Sequence, residues 1–185
     1  MLTQSQLIQQ LTTTIGKSKV IELSKILKDQ QFNLRDLIDI TFNKDKDIAF
    51  RASWLLENVF LKNPQAYLND LNYLIQCFTN VSYPSCQRHY AKIMMHITDP
   101  KAPAAVQLKL KEIDLEKVIE HLFDWMIDPK VKIAVKVFSS ESLFNMRYQY
   151  SWITEELADQ IKYLMSNGTA AIQSRGKKLL KQLSN

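Results

Sequence analysis

Glycine and proline are scarce in this 185-residue chain, with only 3 and 5 copies. Average usage would supply roughly four times as many glycines and twice as many prolines. So small a glycine stock leaves little room for a phosphate-cradling loop, a dinucleotide fingerprint or a many-turned β-sandwich. Cysteine is limited to Cys77 and Cys86, which argues against a disulfide framework or a multi-cysteine zinc site. Long apolar runs are absent as well. No window approaches 18 uninterrupted apolar residues, so nothing in the sequence reads as a bilayer span. The opening residues Leu2-Thr3-Gln4-Ser5-Gln6 lack the basic patch and apolar run of a secretory signal, which predicts a reduced, cytoplasmic protein. In that setting Asn80-Val81-Ser82 and Asn167-Gly168-Thr169 read as turns, although both fit the glycosylation sequon.

What remains is enough for a packed core. Hydrophobic residues make up 46% and charged residues 23%, which excludes a disordered polymer. Lysine and arginine number 24 against 19 acids, a net charge of +5 that favours an anionic partner only weakly.

Helical spacing dominates the chain. Leu34, Leu37, Ile38, Ile40 and Phe42 precede a polar turn, Asn43-Lys44-Asp45-Lys46-Asp47, and a second run follows with Ile48, Phe50, Trp54, Leu55, Val59 and Phe60. Recurrence at i, i+3, i+4 and i+7 is that of an amphipathic helix, and strand-like alternation is missing. Asn33 reads as a helix cap, Asn63-Pro64 as the opening of another helix, and Asp128-Pro129 as a proline in a first helical turn. Asn167-Gly168-Thr169 reads as one helix ending and the next being capped. Eight to ten helices joined by short loops are expected.

The helices recur in pairs. In the second member of each pair, Ile48–Leu56 aligns with Ser85–Ile93, Val131–Phe138 and Ile172–Leu180. Each copy carries a base: Arg51, Arg88, either Lys132 or Lys136, and Arg175. With Lys132 in the third slot the intervals are 37, 44 and 43 residues, within the range of two-helix solenoid units. A lone two-helix unit cannot hide its apolar face, so such units stack until a continuous core forms, with polar caps at the ends. The expected organisation is one α-solenoid domain. Residues 1–32 form an N-terminal cap with Leu7, Leu11, Val20, Leu23, Ile26 and Leu27 inward, residues 33–168 the central repeats, and residues 169–185 a basic closing helix. The stretch from Thr98 to about Asp114 is the least regular, and either a loop or a short extra helix fits it.

The turn aspartate Asp45 with Arg51 six residues later resembles the HEAT repeat. Arg51–Glu57, Phe123-Asp124-Trp125, Asp128-Pro129-Lys130, Ala134–Phe138 and Ser174–Lys178 resemble a family of short, uncharacterised bacterial HEAT-like proteins. The resemblance covers most of the chain after about Leu34. It implies an all-α, HEAT/armadillo-like, right-handed α-α superhelix of about four to five helix pairs. Some members of that family bear the label adenylosuccinate lyase. That activity is not carried over, because the Gly-Ser-Ser-x-Met-Pro loop of the lyases has no counterpart here.

The recurrent bases are the leading site candidates. Arg88 and Lys92 share a helix face at a spacing of four, as do Lys132 and Lys136, while Arg51, Arg175 and Lys178 fill matching or neighbouring slots. Stacked helices would turn these slots into a ladder of positive charge suited to a phosphate backbone or an acidic peptide. The competing reading pairs each base with a turn carboxylate, Asp45, Asp47 or Asp128, and makes the ladder scaffolding. Trp54 and Trp125 lie in strongly apolar stretches and read as core, whereas Trp152, in the Tyr-rich segment 148–152, is expected to touch solvent. That segment is either a contact patch or an inter-helix plug. His89 and His96 stand about 10 Å apart along a helix, too far to share a metal. His121 is isolated, and no nucleophile is accompanied by its base, so no catalytic residue, metal or cofactor is expected.

Two functions compete on this reading. One is a non-catalytic scaffold presenting its concave surface to a protein partner. The other is a nucleic-acid binder similar to the HEAT-like alkylpurine DNA glycosylases, setting the basic ladder on phosphates. The Trp–Asp–Arg–Trp arrangement of those enzymes is not matched residue by residue.

Overall fold

The structure, a computed structural model, describes residues 2–13, 16–29 and 32–184. Met1, Thr14, Ile15, Gln30 and Gln31 of the expected N-terminal cap, and Asn185 at the closing helix, lie outside the described residues. Five helix pairs follow one another along the chain. They are α1 (Gln4–Thr13) with α2 (Lys17–Asp29), α3 (Leu34–Ile40) with α4 (Lys46–Lys62), and α5 (Leu71–Phe78) with α6 (Pro84–Thr98). After a short inserted helix, α7 (Ala104–Leu110), come α8 (Glu116–Ile127) with α9 (Ile133–Met146), and α10 (Ile153–Ser166) with α11 (Ala170–Leu183). A 3-10 helix, Pro64–Asp70, precedes α5 and packs against α7.

Two layers result. The second helices touch in succession, α2 on α4, α4 on α6, α6 on α9 and α9 on α11. The first helices do the same on the other side, α1 on α3, α3 on α5, and α8 on α10. This translational succession of pairs is the α-solenoid the sequence period implies. Eleven α-helices among the described residues exceed the expected eight to ten, because the N-terminal region forms a full pair and the irregular segment after Thr98 contains α7.

Local chemistry sets the boundaries. The Asn33 side chain accepts from the Arg35 amide and starts α3. Within the polar turn, Asn43 accepts from the Asp45 amide, and Asp45 caps α4 through the amides of Asp47 and Ile48. Pro64 opens a 3-10 helix, and Pro84 occupies the first turn of α6. Pro129 does not open α9. The Asp128 carboxylate instead accepts from the Lys130 amide in a tight turn, and the helix begins after Lys132.

A continuous apolar core runs from Leu7 on α1 to Leu179 on α11. Val20, Leu23 and Leu27 are buried along one stripe of α2, but Ile26 falls off it and is 39% exposed, contrary to expectation. Trp125 is buried as core, and Trp54 only half-buried. Gly176 marks a close approach of α11 to α10, since a Cβ there would lie 2.5 Å from the Met165 sulfur. In the Tyr-rich segment the two readings divide by residue. The Tyr150 hydroxyl accepts from the Leu115 amide at 3.2 Å and plugs the start of α8, while Tyr148 is 84% exposed.

Candidate functional site

Several of the recurrent bases hold helices together. The Arg51 guanidinium on α4 donates to the carbonyls of Leu11 and Thr12 at 3.1 and 2.9 Å, closing the C-terminal end of α1. Lys136 on α9 is buried and donates to the Met126 carbonyl near the end of α8 at 2.8 Å. Burial holds its ammonium below the usual lysine range, with Asp128 opposing only in part. Arg175 on α11 pairs with Glu141 on α9, and Lys92 on α6 pairs with Glu57 on α4. Arg51, Lys136 and Arg175, three members of the expected anion-binding ladder, are therefore engaged in joining helices.

Their partners differ from those expected. Helix-end carbonyls and mid-helix glutamates take the bases, while Asp45 and Asp128 serve backbone amides in turns. Glu57 and Glu141 escape sequence reasoning, although each has a signal: a lone acid inside an apolar helical stretch. Lys136 rather than Lys132 plays the part of Arg51, since both reach helix-end carbonyls. Removal of the Arg51 side chain leaves two carbonyls of α1 without their donor. Arg51→Ala is expected to cost about 2 kcal/mol, the range for a hydrogen-bonded charged group. Amide exchange in α1 should accelerate before that in α6 or α9. A loss below about 0.5 kcal/mol, as for an ordinary surface substitution, would show that Arg51 does not latch the first pair.

Arg88 and Lys132 stand apart. Both are exposed and without an ion pair among the described residues, and both line a trough of about 730 Å³ across α4, α6 and the start of α9. Lys46, in the first turn of α4, adds a third rim cation, its ammonium 5.9 Å from the Tyr83 ring. Phe50 and Trp54 make the floor. Their rings lie 5.7 Å apart, and both meet the buried His89 ring, at 5.5 and 6.2 Å respectively, with Trp54 stacked at 20°.

Beside those rings, lining the same trough, lies a charge cluster. His89 Nδ1 sits 2.7 Å from Glu57 Oε2, and Lys92 Nζ bonds Glu57 Oε1. Burial works to raise the Glu57 pKa, but the bonds and charges of His89 and Lys92 prevail and hold it below the usual carboxylate range. Glu57 thus stays ionised and fixes the His89 ring that backs Trp54. The trough continues past Glu57, Asn58 and Lys92 into an adjoining hollow of about 420 Å³ reached by Ile21, Ser24 and Lys25 of α2. Lys46, Phe50, Glu57 and Asn58 join the site only through the fold.

Trp152 and Lys178 do not join it. Trp152 is 45% exposed at the start of α10, its ring 5.7 Å from Phe123 on α8, and so belongs to the first-helix layer. Lys178 is exposed on α11 outside the trough. Among the described residues, no group of three or more histidine, cysteine, aspartate or glutamate side chains is placed to hold a metal ion.

A family model for a HEAT repeat domain matches residues 7–183. The chain belongs to the HEAT-repeat family. No curated protein and no solved structure matches it. HEAT repeats generally serve as protein-interaction scaffolds. No helix among the described residues is long and apolar enough to cross a membrane.

Proposed function

We propose that this HEAT-repeat protein is a non-catalytic scaffold that binds a protein partner through the concave face of its second helices. One observation carries the reading. The trough over α4, α6 and α9 exposes Arg88 and Lys132, which hold no repeat together, beside open faces of Phe50 and Trp54, whereas Arg51, Lys92, Lys136 and Arg175 on the same layer join helices. A side chain that joins repeats explains itself; Arg88, Lys132 and the open faces of Phe50 and Trp54 do not. In this reading residues 1–32 cap one end, residues 33–168 present the binding face, and the basic helix of residues 169–185 closes the other end.

A nucleic-acid partner would use the same three cations. Three cations with Asp47 beside them are fewer than the roughly 6–10 phosphate contacts of a strong nucleic-acid binder, which favours the protein reading. A photo-crosslinking amino acid at Lys132 is expected to give discrete adducts with host proteins. The same group at the exposed Gln76 of α5, on the first-helix layer, is expected to give none. Adducts at Gln76 without adducts at Lys132 would move the partner to the opposite layer and contradict the proposal.

A further inference from the structure

We infer that the trough takes an acidic peptide segment, extended across α4, α6 and α9, with one aromatic side chain seated on Phe50 and Trp54. The inference rests on the reading of this face as the partner-binding one and specifies the chemistry of what it binds.

Charge supplies the first reason. Glu57 is neutralised from within by His89 and Lys92, so the groups left to face a ligand are Lys46, Arg88 and Lys132 against Asp47. The surplus is positive, and its members come from three successive second helices. An anionic ligand meeting all three must therefore run across the helices. Neighbouring helix axes lie about 8–10 Å apart, so the rim spans about 18 Å. A strand advancing about 3.3 Å per residue covers that in five or six residues.

The floor supplies the second. Between the cations lie half-buried aromatic faces, Phe50 and Trp54, with the His89 ring locked behind the indole by Glu57. A flat apolar side chain on the ligand buries both faces, and aromatic pairs at such distances add about 0.5–1.5 kcal/mol beyond the area they cover. In an extended peptide alternate residues face one way. An aromatic directed at the floor is thus flanked by residues near the rim, where carboxylates meet the cations.

The third reason separates a peptide backbone from a phosphodiester backbone. Asn58 lines the trough with its amide nitrogen donating to the Trp54 carbonyl at 2.8 Å, which leaves its side-chain oxygen as an acceptor. Peptide N–H groups satisfy an acceptor, while a phosphodiester backbone offers none.

The test uses the full chain and a fluorescein-labelled seven-residue peptide of alternating aspartate and glutamate with phenylalanine at its centre. Binding is read by anisotropy at 50 and 300 mM NaCl. Controls are the same peptide with central alanine, its lysine counterpart, and a twelve-nucleotide single strand and duplex. The acidic phenylalanine peptide is expected to bind, and its affinity to fall at least tenfold in R88E/K132E and at least fivefold on raising the salt, on replacing the phenylalanine, or in W54A. All three positions are solvent-accessible, and circular dichroism checks that the variants keep their helices. Tighter binding of either oligonucleotide, tighter binding of the lysine peptide, or equal binding of the acidic peptide to wild type and R88E/K132E overturns the inference. Failure here with Lys132 adducts still forming removes only the acidic-aromatic chemistry. Failure of both removes the scaffold reading too.

Discussion

Phe78→Ala is expected to lower the folding free energy by about 4 kcal/mol, within the range for deleting a buried phenylalanine. Phe78 is 1% exposed at the end of α5, and its ring meets Tyr90 of α6 at 6.2 Å, His121 of α8 at 5.9 Å and Trp125 of α8 at 4.9 Å. It therefore joins the third pair to the fourth at the point where α7 interrupts regular stacking. For a chain of this size each kcal/mol shifts the midpoint by about 2–4 °C, so thermal unfolding should begin roughly 8–16 °C lower. Because repeats contact only their neighbours, the loss should also divide the array. Hydrogen exchange is expected to show α8 to α11 opening more readily than α3 and α4. A uniform loss of less than about 1 kcal/mol, below any large-to-small core change of this kind, would mean that the joint is made elsewhere.

Glu57→Gln is expected to be nearly as costly. The carboxylate is held between His89, with its side chain 7% exposed, and Lys92, with its side chain 33% exposed. Removing one partner of a buried charged pair costs about 3–5 kcal/mol. The lower end, about 3 kcal/mol, applies because Lys92 can turn its ammonium to water. The acid response should change with it. A carboxylate whose folded pKa is depressed gives stability that is complete above its unfolded value and is lost as pH falls through the folded one. Glu57 is such a group, so wild-type stability should decline as pH drops below the ordinary glutamate range of roughly 4–4.5, and the gap to Glu57→Gln should narrow over the same interval. Denaturant titrations at pH 7 and pH 3.5 read this directly. A gap of equal size at both values would mean that the charge of Glu57 is not what stabilises the pair.

Much of this architecture is legible in the sequence, for reasons visible at particular residues. The i, i+3, i+4 stripes and the recurrence of Arg51, Arg88 and Arg175 expose the paired helices, because a solenoid repeats its own local problem. Asn33 and Asp45 announce their helix starts through backbone amides only a few residues away. The inserted helix α7 is one of two alternatives the sequence leaves open, a loop or a short extra helix, since Pro100 and Pro103 mask a seven-residue helix that packs against the 3-10 helix. Asp128-Pro129 misleads for the same reason in reverse, a local turn outcompeting a helix start.

The site was legible only in its cations. Whether a base joins helices or faces the trough depends on a partner tens of residues away, such as Glu57 for Lys92, Glu141 for Arg175, or the end of α1 for Arg51. No window along the chain contains both halves of those pairs. Glu57 is one acid in an apolar stripe, and Trp54 reads as core, whereas the stacking of α4 on α6 leaves the faces of Phe50 and Trp54 half open.

The three tryptophans provide the most direct measurement of where a partner sits. Trp54 lies in the trough, Trp125 is buried in the core, and Trp152 is exposed beside Phe123 on the first-helix layer. Their indole N–H signals can be followed by NMR while the acidic phenylalanine peptide, or a protein captured through Lys132, is added to the labelled chain. The expected result is that the Trp54 signal moves with saturation while those of Trp125 and Trp152 stay in place. Movement of Trp152 with Trp54 unmoved would contradict the central claim that the second-helix trough is the binding face.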